Sequence, residues 1–80
     1  MVVKMITWIS VKDRLPKTHK EVDADGVEYN TSDLILIWDN DEEEPLGVGT
    51  YEDGKFYING LGVKNVTHWA HINRPDGHLI

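Results

Sequence analysis

The stretch SDLILIWD, residues 32–39, is the clearest strand-like run of the chain. Two leucines and Trp38 alternate with Ile35 and Ile37, so a strand would carry apolar side chains on both of its faces. A strand that is apolar on both faces is typical of the middle of a sheet that is covered on each side. We therefore predict that residues 34–38 form the central strand of the fold.

A hairpin is predicted next along the chain, in the segment GVGTYEDGKFYING, residues 47–60. Asp53-Gly54 is a strong signal for a type I′ turn, because both of its central positions need positive φ and these residue types tolerate it. The turn sets a register that favours pairing through opposite charges and through aromatic contact. The predicted pairs are Glu52 with Lys55 and Tyr51 with Phe56.

The other segments are shorter or more polar. NVTHWAHI, residues 65–72, reads as a further strand, and the glycines of residues 59–62 interrupt the chain before it. KTHKEVDADGVEYNTS, residues 17–32, contains an Asp25-Gly26 turn signal. It is predicted to be either a short hairpin, with residues 21–24 against residues 27–30, or an ordered loop.

The opening stretch ITWISVKDRLP, residues 6–16, is interpreted as a strand entry followed by a corner. Trp8, Ile9 and Val11 favour an extended backbone, and Pro16 ends the extension because proline restricts the residue before it. The large apolar body of Trp8 suits a small core.

These elements predict a mainly β or α+β fold: one small domain over residues 1–80, with an ordered core of about residues 6–75 and a three- to five-stranded antiparallel sheet. The predicted core consists of Ile6, Trp8, Leu15, Ile35, Ile37, Trp38, Val48, Tyr51, Phe56, Ile58, Val66 and Trp69. A chain of 80 residues without cysteine has a small core and no disulfide, so we expect a homodimer or higher oligomer.

The formal net charge is −6, and acidic side chains concentrate in the segment DNDEEE, residues 39–44. Like charge repels a phosphate backbone, which argues against DNA or RNA binding. The segment lacks the glycine and the distal glutamate of an EF-hand. It is interpreted first as a solvated loop, with a patch for a basic partner or a weak Mg²⁺ or Ca²⁺ contact as alternatives. Its candidate partner-binding residues are Asp39, Asp41, Glu42, Glu43 and Glu44.

Signatures of catalysis, metal binding and export are missing from the sequence. It has no cysteine nucleophile, no nucleophile elbow, no phosphate loop and no metalloprotease motif, so we expect no catalytic residues and no cofactor. His68 and His71 would face opposite sides of a strand and could not share a metal ion. The N-terminal residues lack a signal peptide, and no apolar run approaches the roughly 20 residues of a membrane span.

Three residues form a candidate aromatic corner for which a structural role is favoured: Trp8, His68 and Trp69. The sequence predicts that His68 donates a hydrogen bond that ties the last strand to the Trp8 corner.

The motifs of this chain and their order resemble those of a known protein family. The opening W-I-S-V-x-D-R-L-P, the apolar central strand, the Y-x-D-G-K-F-Y hairpin and the closing V-T-H-W resemble a family of small phage and prophage proteins catalogued as domain of unknown function 551. The matching residues are 8–11, 13–16, 34–38, 51–57 and 66–69. The resemblance implies a phage or prophage source and a compact fold, and it implies no reaction. Family members continue with methionine-proline-leucine-proline where this chain has AHINRP, residues 70–75, and this chain is longer after Pro16.

We therefore expect a non-enzymatic phage or prophage accessory protein that binds and modulates a host protein through an acidic surface, in the cytoplasm of the bacterial host. One alternative is a protein that binds or sequesters a small nucleotide-like ligand as an oligomer. The other is a component of phage assembly.

Overall fold

A computed structural model describes residues 6–72, which form strands and turns without a helix. The strands are β1 (Ile9–Ser10), β2 (His19–Val22), β3 (Glu28–Thr31), β4 (Ile35–Asp39), β5 (Leu46–Glu52), β6 (Lys55–Ile58), β7 (Leu61–Val63) and β8 (Val66–His71). The predicted mainly β class is confirmed. The eight strands exceed the predicted three to five because several have only two to four residues, too few for a period of two to be recognised.

All strand pairs are antiparallel, and β5 is the strand around which the sheet divides. The main path runs β1-β8-β4-β5-β3-β2, while β6 pairs with β5 and β7 pairs with β6. Gly49 of β5 lies opposite Ile35 of β4 on one edge and opposite Ile58 of β6 on the other. The β6–β7 hairpin lies over the face of β4 and β8, because Phe56 of β6 packs in one buried cluster with Ile35, Ile37 and Trp69.

The core lies on the concave face of the curled sheet. Ile35 and Ile37 of β4 are 2% and 0% exposed, and Ile37 lies opposite the buried Trp69 of β8. Phe56 of β6 joins them to complete the buried cluster. Since β4 lies between β5 and β8, its prediction as the central strand is confirmed.

Three residues of the predicted core are exposed, so their assignment is wrong: Ile6, Leu15 and Val48. Val48 lies opposite Leu36, on the convex face, because side chains alternate along β5. Leu15 belongs to the loop after β1, whose neighbouring Pro16 is the buried residue instead. The predicted core also omitted Ala70, which is 1% exposed.

The predicted β5–β6 hairpin is confirmed in turn and register. Asp53 and Gly54 have φ values of 45° and 88°, as a type I′ turn requires. Tyr51 lies opposite Phe56, with their ring centroids 4.8 Å apart, and Glu52 lies opposite Lys55.

Two further hairpins extend the sheet. Asn59 and Gly60, with φ values of 53° and 76°, turn the chain between β6 and β7, where the sequence analysis predicted only an interruption. Asn-Gly is the residue pair that type I′ turns prefer, so this hairpin could have been predicted from the sequence. Of the two alternatives for residues 17–32, the hairpin is present: β2 pairs with β3 around a turn that contains Gly26 at φ 81°.

The opening stretch is the predicted strand entry and corner. β1 pairs with β8, and the amides of Asp13 and Arg14 both donate to the carbonyl of Ser10 to turn the chain. The indole Nε1 of Trp69 then donates to the carbonyl oxygen of Arg14 at 3.0 Å. The corner is therefore tied to the core by Trp69.

Replacing Gly49 with alanine should destabilise the protein by about 3 kcal/mol or more, because the added Cβ would overlap the carbonyl oxygen of Tyr57. Gly62→Ala is the matched control, since its Cβ would meet only the Tyr57 ring, at 3.9 Å. Urea denaturation followed by circular dichroism measures both variants. Equal losses would contradict the close approach of β6 to β5.

Trp69→Phe should lower the free energy of unfolding by about 2–3 kcal/mol, because it leaves a cavity and removes the hydrogen bond to the Arg14 carbonyl. Trp8→Phe should cost less than about 1 kcal/mol, because Trp8 is only half-buried and phenylalanine keeps an aromatic edge. The same denaturation experiment compares them, and a larger loss for Trp8→Phe would reverse the assigned roles.

Candidate functional site

The segment predicted as a partner-binding patch connects β4 to β5, and we call residues 39–44 the acidic loop. Its base is fixed by backbone hydrogen bonds on both sides. The amide of Asp39 donates to the carbonyl of Pro45 at 2.8 Å, and the amide of Asn40 donates to the carbonyl of Asn65 at 3.1 Å. The loop is therefore a turn anchored to the residues that directly precede β5 and β8.

The five acidic residues of this loop divide into two environments. Asp41, Glu42, Glu43 and Glu44 are exposed. Asp39 is 4% exposed, and its Oδ1 accepts a hydrogen bond from the amide of Asp41 at 3.2 Å. The sequence analysis grouped all five as one surface, although the period of two that buries Ile35 and Ile37 continues to Asp39.

A cleft of about 620 Å³ opens between the acidic loop and the β6–β7 hairpin, and we call it the acidic cleft. Its carboxylates come from the acidic loop and its apolar residues from β5, β6 and β7. It is lined by Asp39, Glu42, Glu44, Pro45, Leu46, Gly47, Val48, Ile58, Asn59, Leu61, Gly62 and Val63. Asp39 and Glu42 also line a smaller cavity of about 230 Å³ beside Lys64.

A second group of acidic residues lies at the other end of β5, which the sequence analysis did not single out. Asp23, Glu52 and Asp53 line a shallow hollow of about 430 Å³ together with Tyr29 and Tyr57. Oδ1 of Asp53 accepts from the amide of Asn30 at 3.2 Å, so part of this charge is used to hold β3 against the β5–β6 turn. No short sequence spacing signals this group, because Asp23 is distant along the chain from Glu52 and Asp53.

The candidate aromatic corner is divided between the two faces of the sheet. Trp8 packs edge to face on Trp38, with their ring centroids 5.8 Å apart, and His68 lies opposite Trp38 on β8. Trp69 points into the core on the other face. The Nδ1 atom of His68 lies 2.9 Å from the hydroxyl of its neighbour Thr67. Trp69, rather than His68, supplies the hydrogen bond that fixes the corner.

A third cleft, of about 510 Å³, lies under the loop that follows β1, and we call it the corner cleft. Most of its lining is apolar, and two lysines belong to it. It is lined by Val11, Leu15, Tyr51, Gly54, Lys55, Phe56, Gly62, Val63, Lys64 and Val66. An apolar cleft of this size with a few polar groups is typical of sites for small ligands.

Within residues 6–72 no three histidine, aspartate or glutamate side chains are grouped as metal ligands would be. His68 and His71 lie opposite Trp38 and Ile35, on different faces of β8, as their spacing predicts. The same part of the chain contains no helix with the length and hydropathy of a membrane span.

The chain was compared with curated proteins, solved structures and protein-family models, and a family model matches it. No curated protein and no solved structure matches the chain. One family model, described as a protein of unknown function (DUF551), matches residues 7–76 and so spans every described strand. The chain therefore belongs to the DUF551 family.

Proposed function

We propose that this chain is a non-enzymatic accessory protein of a phage or prophage that binds and modulates a host protein through its acidic surface, in the cytoplasm of the bacterial host. The source is inferred from the resemblance of its motifs to small phage and prophage proteins. The binding role is inferred from the placement of its charge. The observation that carries the proposal is the acidic loop, which presents four exposed carboxylates on an anchored turn.

Anchoring matters because a fixed charge loses less conformational entropy on binding than a charge on a mobile tail. The hydrogen bonds of Asp39 and Asn40 hold the loop to Pro45 and Asn65, the residues directly before the paired strands β5 and β8. A basic partner would be steered towards this loop by the chain's net charge of −6 and oriented by the loop's fixed position.

Neutralising the loop should slow partner binding. In Glu42→Gln/Glu43→Gln/Glu44→Gln, the rate of association with the host protein should fall at least about tenfold at low salt, because the steering charges are removed. The matched control is Glu21→Gln/Asp25→Asn/Glu28→Gln, which removes the same charge from exposed residues of the β2–β3 hairpin. Surface plasmon resonance at several salt concentrations measures both variants.

The partner itself can be identified by carbodiimide crosslinking in infected or lysogenic cells, because this reagent joins a carboxylate to an amine in direct contact. Crosslinked peptides should contain residues 41–44 joined to lysines of one host protein. Crosslinks that form equally on the β2–β3 hairpin, or association that is equally slow in both triple variants, would refute the proposed surface.

A second function, binding of a small anionic ligand, is favoured by the corner cleft. Its apolar walls suit a planar ring, and Lys55 and Lys64 are among its lining residues. The ion pairs within residues 6–72 involve neither lysine. A ligand's phosphate or carboxylate group would accept hydrogen bonds from these two ammonium groups.

If this second function holds, a nucleotide of a panel at millimolar concentration should raise the melting temperature by a few degrees, because a ligand that binds only the folded state stabilises it. Lys64→Gln should reduce this shift, and Lys17→Gln, an exposed lysine outside the cleft, should leave it unchanged. An unchanged melting temperature across the panel would exclude the second function.

A further inference from the structure

The convex face of the sheet carries an apolar surface that residues 6–72 leave open. Leu36 and Trp38 point to this face, because their neighbours along β4 point into the core. On β5, Val48 lies opposite Leu36 and Leu46 lies opposite Trp38, and both are about half exposed. The ring of Trp8 packs edge to face on Trp38. We call this surface the convex patch, and it consists of Trp8, Leu34, Leu36, Trp38, Leu46 and Val48.

The face around the convex patch has no strongly charged side chain. The positions that share it are Ser10 on β1, His68 and Ala70 on β8, and Thr50 on β5. None of them is an aspartate, glutamate, lysine or arginine, although these residue types make up 28% of the chain. A charged partner finds no complementary group on such a surface. The patch therefore fits another apolar surface.

The central strand needs a cover on both of its sides. A strand that is apolar on both faces is typical of a sheet with a layer on each side, and the concave face of β4 has that layer in the β6–β7 hairpin. On the convex face, the exposed apolar area is on the order of 400 Å², which is within the range of the largest and often functional patch of a typical monomer. The missing layer is thus of the size that an interface with another chain supplies.

A second copy of this chain matches the convex patch in shape and in charge. Trp38 and Leu46 form its bulky end, where the acidic loop begins, while Thr50 and Ala70 lie towards the opposite end and are small. If a twofold axis relates two copies with antiparallel strands, the bulky end of each lies over the small end of the other. The same arrangement places the two acidic loops at opposite ends of the pair, which limits the repulsion between chains of net charge −6.

We propose that two copies of this chain associate face to face through the convex patch, with the two β4 strands antiparallel. Together the copies would bury roughly 800–1,000 Å², which is the low end of specific interfaces and is typical of reversible association. The pair is therefore a dimer with a Kd in the micromolar range. This inference goes beyond the proposed function, since the association needs no host protein.

The first test is sedimentation velocity of the full chain at concentrations from about 1 to 500 µM, where a dissociation constant of about 1–100 µM is expected. Dimerisation should tighten at least about threefold between about 50 and 500 mM sodium chloride, because salt screens the repulsion between the two acidic chains. A chain that stays monomeric over the whole range, or a dimer that weakens as salt is added, would overturn the inference.

Variants locate the interface. Val48→Lys and Leu46→Lys should each raise the dissociation constant at least about hundredfold, because each places an ammonium group against an apolar surface on both copies. Both positions are about half exposed in one copy, so the fold should tolerate the changes, and circular dichroism checks this. Leu61→Lys is the matched control, because Leu61 is 71% exposed and lies on β7, outside the patch. Its dissociation constant should stay within about twofold of the unchanged chain.

NMR of a mixture of isotope-labelled and unlabelled chains identifies the contacts directly. Intermolecular nuclear Overhauser effects should join methyl groups of Leu36 and Val48 in one copy to the patch of the other copy. Contacts that arise instead from β7 or from the β2–β3 hairpin, or equal losses of affinity for Val48→Lys and Leu61→Lys, would place the interface elsewhere and overturn the inference.

Discussion

The close approach of β6 to β5 at Gly49 is the constraint on which the rest of the fold depends. At this residue β5 is paired with β4 on one edge and with β6 on the other, and the carbonyl of Tyr57 occupies the space that a Cβ would need. Because Gly49 has no side chain, the β6–β7 hairpin can turn over the concave face and bring Phe56 onto Ile37 and Trp69. A core this small would otherwise be open on that side.

The same curl creates the candidate sites. Turning β6 and β7 over the sheet brings Leu61 and Val63 to face the acidic loop, and the acidic cleft is the space between them. The corner cleft lies where the β6–β7 hairpin meets the loop after β1. Asp39 is buried because β4 extends one residue beyond its apolar run, where it pairs with Val66 across an irregularity in the register. Charge and apolar surface are thus combined at one end of the sheet.

Local signals in the sequence predicted much of this structure. The alternation in residues 34–38 placed β4 at the centre, and Asp53-Gly54 fixed the β5–β6 register, because both depend on neighbours along the chain. The Asn59-Gly60 turn carried an equally strong signal that was interpreted only as an interruption. Val48 was assigned to the core because it is apolar. Side chains alternate between the two faces along β5, however, and Val48 lies on the convex face.

The sequence by itself determined an antiparallel sheet in a mainly β or α+β fold, the two strongest strand elements and the existence of an acidic loop, since hydrophobic period, turn chemistry and charge are local properties. Only the tertiary structure decided which acidic residue is buried, which carboxylates share a cleft with the β6–β7 hairpin, and that Trp8 and Trp69 lie on opposite faces. These features depend on the pairing and packing of strands that are distant along the chain, which no local pattern specifies.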